Sequence, residues 1–79
     1  MFIDVLITMS GRGHGVEYSN IQVIYDYSTK KQIGSEYSEI DLQFALTNEG
    51  KHIGLNEEVL FKRVKAVFID GNYFITTKF

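Results

Sequence analysis

Apolar side chains recur with a period of two along most of this chain, a spacing typical of β-strands rather than helices. In the first segment the odd-numbered positions are all apolar, namely Ile3, Val5, Ile7 and Met9. Phe2 and Leu6 make the opposite face partly apolar as well. A strand with apolar residues on both faces is packed on both sides, so we predict that this segment lies in the centre of a sheet.

Two further strands are predicted from the same alternation. The second covers residues 21–27, with one core-facing row formed by Ile21, Val23, Tyr25 and Tyr27. The third covers residues 40–47 and is the most regular, since its even positions are Ile40, Leu42, Phe44 and Leu46. Residues 28–34, with two lysines and a glycine, are expected to form the hairpin loop between these strands.

The last third of the chain is predicted to contain a short helix and a hairpin. Asn56 is a suitable N-cap for a helix over residues 57–66, where acidic residues precede basic ones as the helix dipole favours. A continuation of the following strand is the alternative for this segment. Residues 66–69 have the composition of a strand, Asp70-Gly71 is the strongest hairpin signal in the chain, and residues 73–77 form the closing strand.

These elements predict one small domain, residues 1–79, of mostly β class with a minor α component. Its expected architecture is a five-stranded antiparallel barrel or curled sheet with one short helix between strands 3 and 4. This element order is that of an OB-fold, and an SH3-like barrel or an open sheet fits almost as well. A fold of this kind carries no function by itself.

Composition excludes several classes of protein. The 79 residues include no cysteine, so neither disulfides nor a cysteine zinc site stabilises the fold, and self-association is the remaining device. The net charge of −2 argues against general binding of duplex DNA. No apolar run approaches the length of a membrane span, and the first residues lack the positive charge of a signal peptide, so the expected location is the cytoplasm.

The segment from Ser10 to Gly15 alternates glycine with one arginine and one histidine. It lacks the Lys-Ser/Thr end of a P-loop and the later glycine of a dinucleotide fingerprint. The simpler interpretation is a turn between two strands. The functional interpretation is an anion-binding loop, in which backbone amides and Arg12 hold the anion. Its candidate residues are Gly11, Arg12, Gly13, His14 and Gly15.

The leading functional hypothesis is therefore a non-enzymatic binding module for an anionic small molecule, with a nucleotide as the first candidate. Tyr18 or Tyr25 would stack on the base, although a tyrosine in this position packs more often in a core or an interface. His14 and His52 have no metal-ligand spacing and no catalytic partner. We therefore predict no metal site, no cofactor and no catalytic residues.

A second hypothesis rests on the uneven charge of the chain, since residues 1–50 carry seven acidic and three basic side chains. An acidic patch could dock on the basic surface of a host protein, as in small inhibitors or decoys that viruses and mobile elements encode against host defences. The candidate partner-binding residues are Asp26, Glu36, Glu39 and Asp41. The simpler interpretation is a solvated face, and a third hypothesis is a structural subunit of a homo-oligomer.

Overall fold

The fold is a single antiparallel sheet that carries one helix. The computed structural model describes residues 1–11, 18–34, 37–53 and 58–76, with His52 and Ile53 described by their backbone only. Its elements are β1 Phe2–Gly11, β2 Ser19–Asp26, β3 Lys31–Gln32, α1 Glu39–Thr47, β4 Lys51–Ile53, β5 Glu58–Ile69 and β6 Asn72–Ile75. The prediction of a mostly β fold with one short helix between the third and fourth strands is confirmed.

The strands lie in the order β3-β2-β1-β5-β4, and β6 pairs with the far end of β5. β1 is central, as its two apolar faces predicted, and it pairs with β5 from Phe2 opposite Val67 to Gly11 opposite Glu58. No pairing joins β3 to β4 or β6 among the described strands. The sheet is therefore open, and the OB-like and SH3-like barrels are not the architecture observed.

The sheet nevertheless curls. Tyr73 on β6 donates a hydrogen bond of 2.9 Å to Asp26 on β2, although β1 and β5 lie between these two strands. Three strand spacings of about 4.8 Å would separate β2 from β6 in a flat sheet. The hydrogen bond therefore requires that the two strands rise toward each other, which makes this face of the sheet concave.

Each face of the sheet packs its own core. The core under α1 consists of Leu6, Ile24, Leu42, Ala45, Val59 and Phe61. The core of the concave face consists of Val5, Ile7, Met9, Val64 and Ala66. The side chains of both cores are at most 5 % exposed, and the curl explains how the concave face buries its core although α1 packs on the opposite side.

The prediction of a strand over residues 40–47 is wrong, because this segment is α1. Ser38 is its N-cap: the Ser38 hydroxyl accepts the Asp41 N–H at 3.2 Å and donates to the Asp41 carboxylate at 2.8 Å. Leu42 and Ala45, three residues apart, face the sheet and are buried, whereas Ile40 is 81 % exposed. The apolar alternation was therefore coincidental, and the local capping signal decided the structure.

The prediction of a helix over residues 57–66 is also wrong, because the described part of that segment belongs to β5. Its β-branched and aromatic residues, such as Val59, Phe61 and Val64, favour an extended chain. β5 lies between β1 on one side and β4 and β6 on the other, so both of its faces pack apolar side chains. A strand with two apolar faces can imitate the stripe of a short helix.

Two turns settle the register of the hairpins. Asp70 and Gly71 both have positive φ, 50° and 78°, as a type I′ turn requires, so the predicted hairpin is confirmed. Before β3 the chain turns at residues 27–30, which is tighter than the predicted loop over 28–34.

In β2 the register shifts at Ile24, so Val23 and Tyr25 pack on opposite faces instead of in one row.

Candidate ligand cavity

A cavity of about 430 Å³ lies at one end of the concave face, between the β2–β3 turn and the β5–β6 hairpin. Its lining combines apolar and polar side chains: Met1, Ile3, Asp26, Ser28, Thr29, Lys31, Phe68 and Tyr73. Met1 is fully exposed and Phe68 is 52 % exposed, so the cavity opens to solvent on one side.

Asp26 forms the polar floor of this cavity and is 3 % exposed. Its Oδ1 accepts the Ser28 N–H at 2.8 Å, the Ser28 hydroxyl at 2.6 Å and the Thr29 N–H at 3.3 Å. Its Oδ2 accepts the Tyr73 hydroxyl at 2.9 Å. These four donors fold the β2–β3 turn around one carboxylate and bind it to β6, as a buried charge requires.

The electrostatics of Asp26 follow from that arrangement. Burial raises the pKa of the Asp26 carboxyl, but hydrogen bonds from Ser28, Tyr73 and Thr29 outweigh the burial and lower the pKa below its ordinary value of 3.8. The carboxylate is therefore ionised at neutral pH. Internal donors contact both of its oxygens, so Asp26 holds the β2–β3 turn and Tyr73 together at the wall of the cavity.

Tyr73 connects the aromatic side of the cavity to Asp26. Its ring lies 4.8 Å from that of Phe68, its cross-strand neighbour, at an angle of 55°. Burial and the hydrogen bond to Asp26 raise the pKa of the Tyr73 hydroxyl, so it remains a proton donor at neutral pH. The two rings form the aromatic side of the cavity, which Ile3 also lines.

Lys31 supplies the positive charge of the cavity. It lies on β3 and is exposed, and in the part of the chain that the structure describes its ammonium forms no ion pair. The Thr29 hydroxyl likewise makes no hydrogen bond to another described residue. An unpaired ammonium and a free hydroxyl beside an apolar wall can hold an anionic group while the wall holds an apolar body.

The basic residues of β5 are differently placed, since two of them pair with Asp4 on β1. The Asp4 carboxylate lies 2.7 Å from the Lys65 ammonium and 2.9 Å from the Arg63 guanidinium. The Lys65 and Arg63 side chains lower the pKa of the Asp4 carboxyl. Arg63 also stacks 4.1 Å above the ring of Tyr27. Both cations of this cluster have a carboxylate partner, whereas Lys31 has none among the described residues.

Of the predicted nucleotide-site residues that the structure describes, Gly11 and Tyr18 lie near each other beside Glu58, and Tyr25 lies apart from them. Gly11 ends β1 opposite Glu58, and the Tyr18 hydroxyl lies 3.4 Å from the Glu58 carboxylate, which also pairs with Lys51 at 2.9 Å. Tyr25 packs on the opposite, helix-bearing side of the sheet, edge-on to Tyr27. Of the two alternative stacking candidates, Tyr18 is therefore the one that lies near Gly11. The candidates Arg12, Gly13, His14 and Gly15 lie outside the described residues.

The predicted acidic patch is not brought to one surface either. Asp26 is buried beneath the concave face, so its predicted place on a polar outer face is wrong. Glu39 and Asp41 lie in the first turn of α1, where the Asp41 carboxylate accepts the hydroxyl of the N-cap Ser38. Glu36 lies outside the described residues.

The sequence does not predict the residues of the cavity as a site. It predicts Ser28, Thr29 and Lys31 as part of an ordinary hairpin loop and Tyr73 as part of the closing strand. An Asp followed two residues later by Ser is the local signature of a carboxylate-capped turn, and it could have identified the Asp26 turn. The contact of Asp26 with Tyr73 joins residues 47 positions apart and has no local signal.

Comparison with protein-family models, with curated proteins and with solved structures found no match to this chain. Within the described residues, no cluster of three or more His, Asp or Glu side chains could hold a metal ion. The same part of the chain contains no helix with the length and apolar character needed to cross a membrane.

Proposed function

We propose that this protein is a non-enzymatic binding module that holds a small amphipathic anion in the cavity between the β2–β3 turn and β6. The observation that carries the proposal is that Lys31, which forms no ion pair with another described residue, lines the cavity beside an apolar wall. The proposal keeps the class of ligand expected from the sequence, an anion that includes nucleotides. It places the ligand at the opposite end of β1 from the glycine-rich segment.

The size and lining of the cavity suit such a ligand. A volume of about 430 Å³ lies within the range of roughly 300–1,000 Å³ that small-molecule sites occupy. Met1, Ile3 and Phe68 would cover an apolar or planar body. The exposed state of Met1 and Phe68 implies that a ligand removes apolar surface from water when it binds.

The polar groups orient the ligand. Its anionic group would lie against the Lys31 ammonium and the Thr29 hydroxyl, where Lys31 offsets the negative charge of Asp26, its cross-strand neighbour. A dianionic phosphate and a monoanionic carboxylate or sulfonate both fit this chemistry. The aromatic pair of Phe68 and Tyr73 favours a ligand with a ring, as in a nucleotide or an aromatic acid.

Titration calorimetry tests the proposal with a panel of nucleoside monophosphates, aromatic carboxylates and medium-chain fatty acids. Each anion is compared with its neutral counterpart, which is the amide of a carboxylate or the nucleoside of a nucleotide. We expect binding by at least one anion and weaker binding by its neutral counterpart. The Lys31→Gln variant should lose affinity about tenfold or more, as expected when one charge-assisted hydrogen bond of about 1.5–3 kcal/mol is removed.

Lys30→Gln is the matched control, because Lys30 is the adjacent lysine, carries the same charge and does not line the cavity. It should bind the anion as the unaltered protein does. Equal losses from Lys30→Gln and Lys31→Gln would attribute binding to general charge attraction and contradict the site. Failure of every anion in the panel to bind would contradict the proposed function.

A further inference from the structure

The outer edge of β6 is a strand edge without the usual protection. Among the described strands, β6 pairs with β5 alone. Its residues Asn72, Tyr73, Phe74 and Ile75 include no charge and no proline, and its register with β5 has no bulge. Natural sheets usually protect an exposed edge with one of these devices, because unpaired backbone groups recruit another strand.

The other edge strands, β3 and β4, are only two and three residues long and each carries a lysine, Lys31 and Lys51, which are usual protections of a sheet edge. On β2, Asn20 has a positive φ of 52°, and the Gln22 amide donates to the Gly34 carbonyl at 3.4 Å. Between β4 and β6, the Glu49 carboxylate accepts the N–H of Arg63 on β5. These contacts occupy or distort the edges, so β6 is the edge best suited to pair with a further strand.

The hairpin geometry fixes which backbone groups of β6 point outward. In a two-residue hairpin the residues flanking the turn, here Ile69 and Asn72, form the first hydrogen-bonded pair, and such pairs then alternate. The Thr76 N–H donates to the Lys65 carbonyl at 3.3 Å, as this alternation requires. The N–H and C=O groups of Tyr73 and Ile75 therefore point away from β5.

We propose that β6 pairs antiparallel with β6 of a second copy of this chain, with Phe74 opposite the partner's Phe74. This register is the one in which both outward-facing residues of each strand find partners, since Tyr73 lies opposite the partner's Ile75. It also places Asn72 opposite the partner's Thr76. Apolar residues therefore meet apolar ones, polar residues meet polar ones, and no like charges face each other.

The side chains next to the β6 edge indicate that the strand pairing with it comes from a second copy of this chain. Phe2, Val67 and Phe74 form one cross-strand row on the face that carries α1, and Phe2 and Phe74 are 65 % and 53 % exposed. The twofold pairing joins this row to the identical row of the partner. The two exposed phenylalanine rings at position 74 then cover each other, which an unrelated polar strand would not achieve.

The interface is small, because four or five residues of each strand carry it. Stable complexes bury about 1,200 Å² or more, and a single strand pair with two phenylalanines buries less. The dimer is therefore weak and depends on concentration. In sedimentation experiments the protein should be monomeric when dilute and should associate reversibly, to dimers only, as its concentration rises.

A cysteine at position 74 tests the register directly, because the chain contains no other cysteine. Directly opposed residues of a non-hydrogen-bonded pair have Cα atoms about 4.5 Å apart, within the range that a disulfide spans. Phe74→Cys should therefore form a disulfide-linked dimer under mild oxidation. Ile40→Cys, on α1 and 81 % exposed, is the control and should cross-link much more slowly. Equal rates would overturn the proposal.

Opposite charges at position 74 give an independent test. Phe74→Lys and Phe74→Glu should each raise the dissociation constant of the dimer at least tenfold, because like charges then face each other. An equimolar mixture of the two variants should associate again as a heterodimer. Failure of the mixture to associate, or a wild-type chain that stays monomeric at every accessible concentration, would refute self-pairing through β6.

Discussion

The Tyr73→Phe substitution tests the hydrogen bond that holds the two sides of the curled sheet together. It removes one hydroxyl and leaves the ring beside Phe68, so packing is preserved. The lost bond is 2.9 Å long and reaches the ionised carboxylate of Asp26, which is 3 % exposed. Hydrogen bonds to charged groups contribute about 1.5–3 kcal/mol. We therefore expect the free energy of unfolding to fall by about 2 kcal/mol.

The assay is chemical denaturation followed by circular dichroism, with a thermal scan alongside. For a domain of this size, 1 kcal/mol corresponds to a Tm change of about 4–8 °C, so Tm should fall by roughly 10 °C. Tyr18→Phe is the matched control. Its hydroxyl also lies beside a carboxylate, that of Glu58, but at 3.4 Å, near the limit of a hydrogen bond, so the expected loss is below about 0.5 kcal/mol.

The pH dependence adds a second test. The pKa of Asp26 is lowered in the folded protein, so its ionisation stabilises the fold above the unfolded value of 3.8, and this contribution is lost as the pH falls through the lower folded value. The difference between the wild type and Tyr73→Phe should therefore be full at pH 7 and should narrow in acid. A loss below 0.5 kcal/mol at pH 7, as for the control, would refute the reasoning.

Three further predictions concern other parts of the chain. Phe61→Ala should lower the free energy of unfolding by about 3–5 kcal/mol in urea denaturation, because Phe61 is 1 % exposed in the core under α1. Ser38→Ala should cost about 1 kcal/mol by the same assay, because it removes the N-cap of α1. Arg12→Ala should retain the anion affinity of the wild type in calorimetry, and a complete loss of binding would return the ligand site to the glycine-rich segment.

The sequence predicted those parts of the fold whose cause is local. The alternation from Ile3 to Met9 was sufficient because β1 is central and its register with β5 is unbroken. Asp70-Gly71 was sufficient because the type I′ turn needs positive φ at both positions. The predictions of a strand over residues 40–47 and of a helix over residues 57–66 relied on the spacing of apolar residues. The N-cap of α1 and the β-branched residues of β5 were the better indicators. Ser38 and Asp41 were visible in the sequence, so that error was avoidable.

Other features depend on partners that are distant along the chain. The bulge at Ile24 arises when β2 pairs with β1, and no residue type at that position announces it. The sequence placed Asp26 on a polar outer face, which is the usual place for an aspartate in a half-buried strand. Its burial is possible because Tyr73 reaches it from β6. The candidate cavity could therefore not be assembled from the sequence alone.

The Asp26–Tyr73 hydrogen bond explains why the cavity and the open edge occur together. In a barrel, pairing between the first and last strands would close the sheet and leave no edge. Here one side-chain contact draws β2 and β6 together, which encloses the cavity, while the outer edge of β6 has no partner among the described strands. Tyr73 serves both features, so its substitution cannot separate ligand binding from self-association.

Lys31 and Phe74 can separate them, because they lie on different strands and neither contributes to the Asp26–Tyr73 contact. Independent sites have additive effects. The double variant Lys31→Gln/Phe74→Lys should therefore lose anion affinity as Lys31→Gln does and self-association as Phe74→Lys does, and neither single variant should alter the other property.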